Sequence, residues 1–156
     1  MLENYSAVVM ANGASVERDI GIPGEQHITS ATDIINWYNG KLDYFQKFLD
    51  QKNFDFENLR DVSVIGNGNV ATDLARIFLK DKSDFTASDM PDSVIDILKK
   101  PHINSVSLIA RRGIFQSAFS TKEIREISKV KDVKLYLFKN DIEQSSNDGK
   151  NLFLTL

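Results

Sequence analysis

One short run constrains this chain more than any other. Asp61-Val-Ser-Val-Ile65 has the β-rich composition of a strand. It passes directly into Gly66-Asn67-Gly68-Asn69-Val70-Ala71, and Thr72 to Leu79 then reads as helix. The six residues match G-x-G-x-x-G/A, the tight turn of a dinucleotide-binding βαβ unit. Each small residue answers a steric need. The first glycine lets the chain leave the strand sharply. The second lacks a Cβ, so a pyrophosphate can approach the backbone. The alanine lets the helix pack closely on the strand. The helix N-terminus then offers N–H groups and the positive end of its dipole to phosphates. Gly66, Asn67, Gly68, Asn69 and Val70 are therefore the candidate phosphate-binding residues. A glycine-rich turn without a ligand is the plainer alternative, and the strand before and helix after it favour the first reading.

The flanking pattern predicts an α/β fold. Ser105–Ile109 and Val133–Phe138 are further strands, and Leu152–Leu156 begins another. Strands alternating with helices imply a Rossmann-like nucleotide-binding domain with a parallel central sheet, its helices on the faces by right-handed crossovers. Upstream, Tyr5–Ala11 reads as a buried strand ending in a glycine turn. Ser30, three residues before Asp33, caps a helix that Gly40 stops. Leu42–Leu49 has helical spacing. Pro91 fits the first turn of a helix capped near Ser88 or Asp89, which Pro101 ends. Ser120-Thr-Lys-Glu123 is a capping box before another helix.

A length of 156 residues suits one domain. With 19 Lys and Arg against 22 Asp and Glu, net charge is −3, which speaks against a non-specific nucleic-acid binder. The absence of cysteine excludes disulfides, thiolate metal sites and thiol nucleophiles within these residues. Two histidines make a His-rich metal site a poor expectation. No run approaches a membrane span of about 18 apolar residues, and the first residues carry no basic or presequence-like pattern.

Arg111 and Arg112 follow the second strand of the unit, where an acidic residue would hydrogen-bond the adenosine ribose of NAD. Guanidinium forks match phosphate oxygens, and an adjacent pair can hold a dianion, so this pair points to the 2′-phosphate of NADP. The offset from Gly66 to Arg111 is longer than the usual spacing of about 20, and the extra helix between Lys80 and Pro101 accounts for the excess. The alternative is a solvated surface pair. Glu123 can accept hydrogen bonds from a ribose hydroxyl or the nicotinamide amide, or simply complete the capping box. Asp73 can lie near a nicotinamide or be a first-turn acid favoured by the helix dipole. Trp37 and Tyr38 fit a flavin-side contact or, more commonly, a core. Neither His27 nor His102 receives a role.

Taken in order, these elements resemble the adrenodoxin reductase family of mitochondrial-type ferredoxin–NADP⁺ reductases. They are Tyr5–Ala14, Ile22-Pro-Gly-Glu25, Trp37-Tyr-Asn-Gly40, Gly66–Ala71 with Asp73, Ala75 and Arg76, Ala110-Arg-Arg-Gly113 and Phe119–Glu126. The resemblance runs over roughly residues 5–130. It implies an NADP-binding domain inserted in an FAD-binding domain, hydride passing from NADPH to FAD, and single electrons passing on to a ferredoxin- or adrenodoxin-type iron–sulfur protein. Under it, residues 1–156 form the NADP-binding domain, with 1–30 crossing over from the FAD domain and 61–140 forming the core unit. Gly66, Asn67, Gly68 and Asn69 would bind the pyrophosphate region, Arg111 and Arg112 the 2′-phosphate, and Glu123 a further part of NADP. Asp73 and Glu126 also match and would lie near the redox centre. The family's FAD segments do not occur here, so the chain alone is expected to bind NADP(H) without catalysing. Localisation would be mitochondrial. Lys41–Arg60 looks longer than its family counterpart. A related flavin reductase, such as the small subunit of glutamate synthase, and a non-catalytic nucleotide-binding module are the alternatives.

Overall fold

The glycine-rich turn joins strand β1 (Asp61–Ile65) to a helix that begins at Asn69. The computed structural model describes residues 5–10, 19–44, 55–99, 102–139, 142 and 150–155. In chain order its helices are α1 (Ala31–Tyr38), α2 (Asn69–Leu79), α3 (Asp92–Leu98) and α4 (Thr121–Ile127). The further strands are β2 (Ser105–Arg112), β3 (Tyr136–Leu137) and β4 (Lys150–Thr155).

The sheet order is β1-β2-β4-β3. β1 and β2 are parallel, with Asp61 opposite Ser105 and Ile65 opposite Ile109. This pair with α2 between its strands is the predicted βαβ unit. The rest corrects the expectation of a parallel sheet. β4 returns antiparallel to both β2 and β3. β3 therefore runs in the direction of β2 but one strand away, because β4 occupies the place between them. An antiparallel return needs only a short connection, whereas a parallel neighbour needs a crossover.

Helices cover the sheet on the face where Val62, Val64, Val106 and Leu108 project. Ala71, Ala75 and Phe78 of α2 and Ile124 and Ile127 of α4 pack there. Asp61, Ser63 and Ile65 alternate to the other side and are exposed. Strands buried on both faces read as continuous apolar runs, whereas DVSVI alternates, which marks one-sided burial. Among the described residues, the helices that pack on the β1–β2 pair do so on this face.

α2 serves two cores. Leu74 and Ile77 face a second cluster with Ile34 and Trp37 of α1, Phe85, and Val94, Ile95 and Leu98 of α3. Trp37 is 1% exposed and stacks on Phe56 with ring centroids 4.9 Å apart, so it is a core residue and not a cofactor contact. Gly40 closes α1 in a Schellman arrangement. Its N–H bonds Trp37 O at 2.9 Å, the Lys41 N–H bonds Asn36 O at 3.0 Å, and Gly40 sits at φ +75°. A Cβ there would lie 2.6 Å from Pro91 Cγ. Upstream, the Glu25 carboxylate accepts the N–H groups of Ile20 (2.6 Å) and Gly21 (2.9 Å), which close the loop and hold its pKa below the ordinary value.

Several local expectations shift. Tyr5–Met10 forms no strand, and Val9 and Met10 are more than 80% exposed. β-rich residues make a strand only against a neighbour that pairs and packs with them, and none of the described elements pairs with this run. Pro91 takes the N-cap position of α3 and not its first turn. Residues 42–44 are helical, and the remainder of that predicted helix, like Ala11, Pro101 and residues 45–54 of Lys41–Arg60, lies outside the described residues. Val133–Leu135 stay irregular after Asp132, which has φ +61°. No helix among the described residues is long and apolar enough to cross a membrane.

Candidate functional site

The site lies where the two parallel strands end together. Ile65 and Ile109 are in register, and the Gly66 N–H donates to Ile109 O at 2.8 Å. The turn that follows β1 is thus fastened to β2 two residues before Arg111. The carboxyl edge of parallel strands is where open α/β sheets take their ligands. Arg111 is exposed there, Arg112 ends β2, and the register sets Lys150 of β4 opposite Arg112.

The turn is built from backbone geometry. Gly66 has φ +140°, a conformation that L side chains rarely adopt, and a Cβ there would meet Ala71 Cβ at 3.8 Å. Gly68 is the N-cap of α2 and supplies no side-chain cap to its first N–H groups. A Cβ added to Gly68 would meet nothing within 4 Å, so open space faces the turn at the helix start. Thr72 is buried with its hydroxyl donating to Asn69 O at 2.8 Å, which tightens the first turn.

A second loop holds this one. Asn67 O accepts the N–H groups of Ala118 (3.1 Å) and Phe119 (3.0 Å). Asn69 Oδ1 accepts the Ser120 N–H at 3.0 Å. Asn69 therefore spends its side-chain oxygen on tying the start of α4 to the start of α2. Asn67 is 9% exposed, and its Nδ2 is buried without a hydrogen-bond partner. Such a donor costs about 1–3 kcal/mol unless something accepts from it. These backbone contacts between residues far apart in sequence leave no periodic trace, so the pattern alone did not disclose the role of 118–120.

The expected capping box at Ser120 is half made. Ser120 Oγ accepts the Glu123 N–H at 3.3 Å, but the Ser120 N–H goes to Asn69. The Glu123 carboxylate instead lies 3.8 Å from Arg76 Nη1. Arg76 also pairs with Asp73 at 2.7 Å and with Glu126, while Lys122 stands 3.8 Å from Glu126. One guanidinium on α2 thus gathers three carboxylates and fixes α4 against α2. Asp73 is the fifth residue of its helix, not a first-turn acid, and Arg76 is its partner. Tyr38 lies near this group. Burial and then the Asp73 charge raise its phenol pKa, and Arg76 partly offsets them. The structure brings the glycine turn, the end of β2 and the 118–120 loop together, and joins Glu123 to them through Arg76 and α4.

A cavity of about 600 Å³ lies elsewhere, beside β1, lined among others by Ile20, Ile28, Ile34 and Leu74. Neither the residues of the turn nor the arginines line it. Among the described residues, no group of three or more His, Asp or Glu side chains is placed to hold a metal ion.

No family model matches the chain. It is 35% identical over 150 residues to the mitochondrial NADPH:adrenodoxin oxidoreductase of Arabidopsis thaliana, a match covering 95% of this chain and 30% of that protein. It is 38% identical over 137 residues to the NADPH-ferredoxin reductase FprA of Mycobacterium tuberculosis, covering 86% and 29%. A solved structure of FprA in complex with NADPH matches with a TM-score of 0.68 at 37% identity, over 83% of this chain and 28% of that one. The chain spans about 30% of the length of these relatives.

Proposed function

We propose that this chain, which matches a segment of the adrenodoxin reductase family, is the NADP(H)-binding module of a larger flavoprotein reductase. The observation that carries the proposal is the open space at Gly68, where an added Cβ meets nothing within 4 Å, at the start of a helix whose N-cap supplies no side-chain acceptor. The buried Asn67 Nδ2 without a partner supports it independently. Both suit a polyphosphate lying on the turn.

In this proposal Gly66 shapes the turn, and Asn67, Gly68 and the first N–H groups of α2 from Asn69 and Val70 hold the pyrophosphate. Arg111 and Arg112 hold the 2′-phosphate by charge-assisted hydrogen bonds. Glu123 accepts from a sugar hydroxyl or the carboxamide, and Arg76 keeps its carboxylate charge tolerable beside a polyanion. Bound NADPH would supply a hydride for FAD in the whole protein, and its two electrons would leave one at a time for a ferredoxin- or adrenodoxin-type iron–sulfur partner, with the proton released to solvent. The sequence contains one G-x-G-x-x-A turn and no second that would seat FAD, so the chain alone is proposed to bind NADP(H) without turning it over. A mitochondrial address has the support of the plant relative, which is named mitochondrial, while the mycobacterial one matches as well.

The test is a pair of substitutions. Arg111→Ala or Arg112→Ala should weaken NADP⁺ binding by about 1.5–3 kcal/mol, the value of a hydrogen bond to a charged group, and leave NAD⁺ binding unchanged. Equal losses for both nucleotides, measured by calorimetry, would remove the arginines from the 2′-phosphate site.

A further inference from the structure

Among the described residues, Phe115 is the most exposed large apolar side chain at this site. It is 68% exposed, whereas Phe78 and Phe85 are buried in the cores. Tyr136 and Phe138 are exposed too, but they belong to the far edge of the sheet, two strands from β2. Phe115 instead occupies a single 3₁₀ turn, Ile114–Gln116, that follows Arg111-Arg112-Gly113 at once.

That turn is fixed on both sides. The Gln116 N–H bonds Gly113 O at 3.0 Å, and the Ser117 N–H bonds Ile114 O at 3.2 Å. The next two N–H groups, of Ala118 and Phe119, bond Asn67 O. The ring is thus presented to solvent from a segment anchored to the end of β2 and to the phosphate turn. Val70, 49% exposed at the start of α2, adds a smaller apolar surface beside the same turn.

We infer that Phe115 is the platform on which the adenine of the dinucleotide stacks. This deepens the NADP(H) proposal and rests on it. In NADP⁺ one ribose carries both the 2′-phosphate and the adenine, so whatever residues hold the phosphate also set the base down close by. The residues immediately beyond the arginine pair are the nearest in sequence that can meet it. A flat ring exposed to water gains by covering a base, and base–aromatic stacking tolerates a broad range of partners. Hydrogen-bonding groups are not required, which suits a Phe.

The experiment titrates the chain with NADP⁺, with 2′,5′-ADP and with inorganic pyrophosphate, and repeats this for Phe115→Ala and Phe115→Trp. Thermal melts check that the variants keep the fold, as expected for an exposed position. Phe115→Ala should bind NADP⁺ and 2′,5′-ADP at least ~5-fold more weakly, each by the same factor. Its pyrophosphate binding should match wild type. Phe115→Trp should retain affinity, and its added fluorescence should be quenched by 2′,5′-ADP, while Trp37, buried in the core, is silent in the wild type. If wild type binds both nucleotides and Phe115→Ala binds them equally well, the stacking platform is overturned and the NADP(H) proposal stands. If wild type binds neither nucleotide, both fall together.

Discussion

At the scale of the residue, Gly66 and Gly68 do different jobs two positions apart. Gly66 is needed for its backbone, with φ at +140°. Alanine there is strained, and Gly66→Ala should lower stability by about 1–3 kcal/mol in a denaturant melt. Gly68, under the proposed nucleotide site, serves by leaving space. Its φ of −96° suits any residue, and a Cβ would meet nothing within 4 Å. Gly68→Ala should therefore cost under ~1 kcal/mol of stability, the usual effect of alanine at an N-cap. It should nevertheless weaken NADP⁺ binding more than tenfold, because the methyl occupies the approach to the backbone. Similar affinities for Gly68→Ala and wild type would mean that the turn is structural. The motif made both glycines legible, but only coordinates separate their roles. Gly40 shows the same limit. Its role as the helix stop, at φ +75°, was legible locally, whereas its close approach to Pro91, 51 positions away, is invisible to local pattern.

At the scale of the element, α2 carries the structure and the site together. Its start adjoins the glycine turn, its flanks pack in both cores, and its end is held by Lys82. The Lys82 ammonium donates to Ile77 O at 2.8 Å and Phe78 O at 3.2 Å and lies 5.8 Å from the Phe85 ring centroid. Burial lowers its pKa to about 8, with the Asp81 charge opposing. A lysine with a depressed folded pKa sheds its proton more readily in the folded state than in the unfolded one. Stability should therefore rise as pH climbs from about 8 towards the unfolded value near 10.5. A neutral amine still has donors for both carbonyls. Urea melts of wild type and Lys82→Met across this window should show a gap that widens in favour of wild type. A constant gap would mean that the ammonium is not penalised. The sequence announced α2 through the glycine turn and its apolar spacing. Lys82 fell in a polar, turn-rich stretch, and nothing in a stretch of that kind distinguishes a lysine folded back on a helix end from a solvated one.

At the scale of the whole molecule, the parallel β1–β2 pair around α2 was legible because strand, turn and helix follow one another locally. The place of β4 between β2 and β3 was not, since strand order depends on pairing between distant segments. The alternation in DVSVI matches the face on which the described helices pack. The expected strand at Tyr5–Met10 failed because composition records a preference for a pleated, half-buried surface and not the presence of a neighbour. The family resemblance held over most of the chain, at about 30% of each relative's length. The parts of the candidate site that were legible in the sequence were those that act through backbone. Those that act through tertiary contact, such as Arg76 gathering Asp73, Glu123 and Glu126, emerged only from the fold.

If Arg111 and Arg112 hold the 2′-phosphate as proposed, this module selects NADP(H) over NAD(H). Calorimetric titration of the wild-type chain with NADP⁺ and with NAD⁺ under one salt condition tests it most directly. Two charge-assisted contacts of about 1.5–3 kcal/mol each predict at least a tenfold preference for NADP⁺, declining as salt is raised. Equal affinity for the two nucleotides, or preference for NAD⁺, would contradict the account.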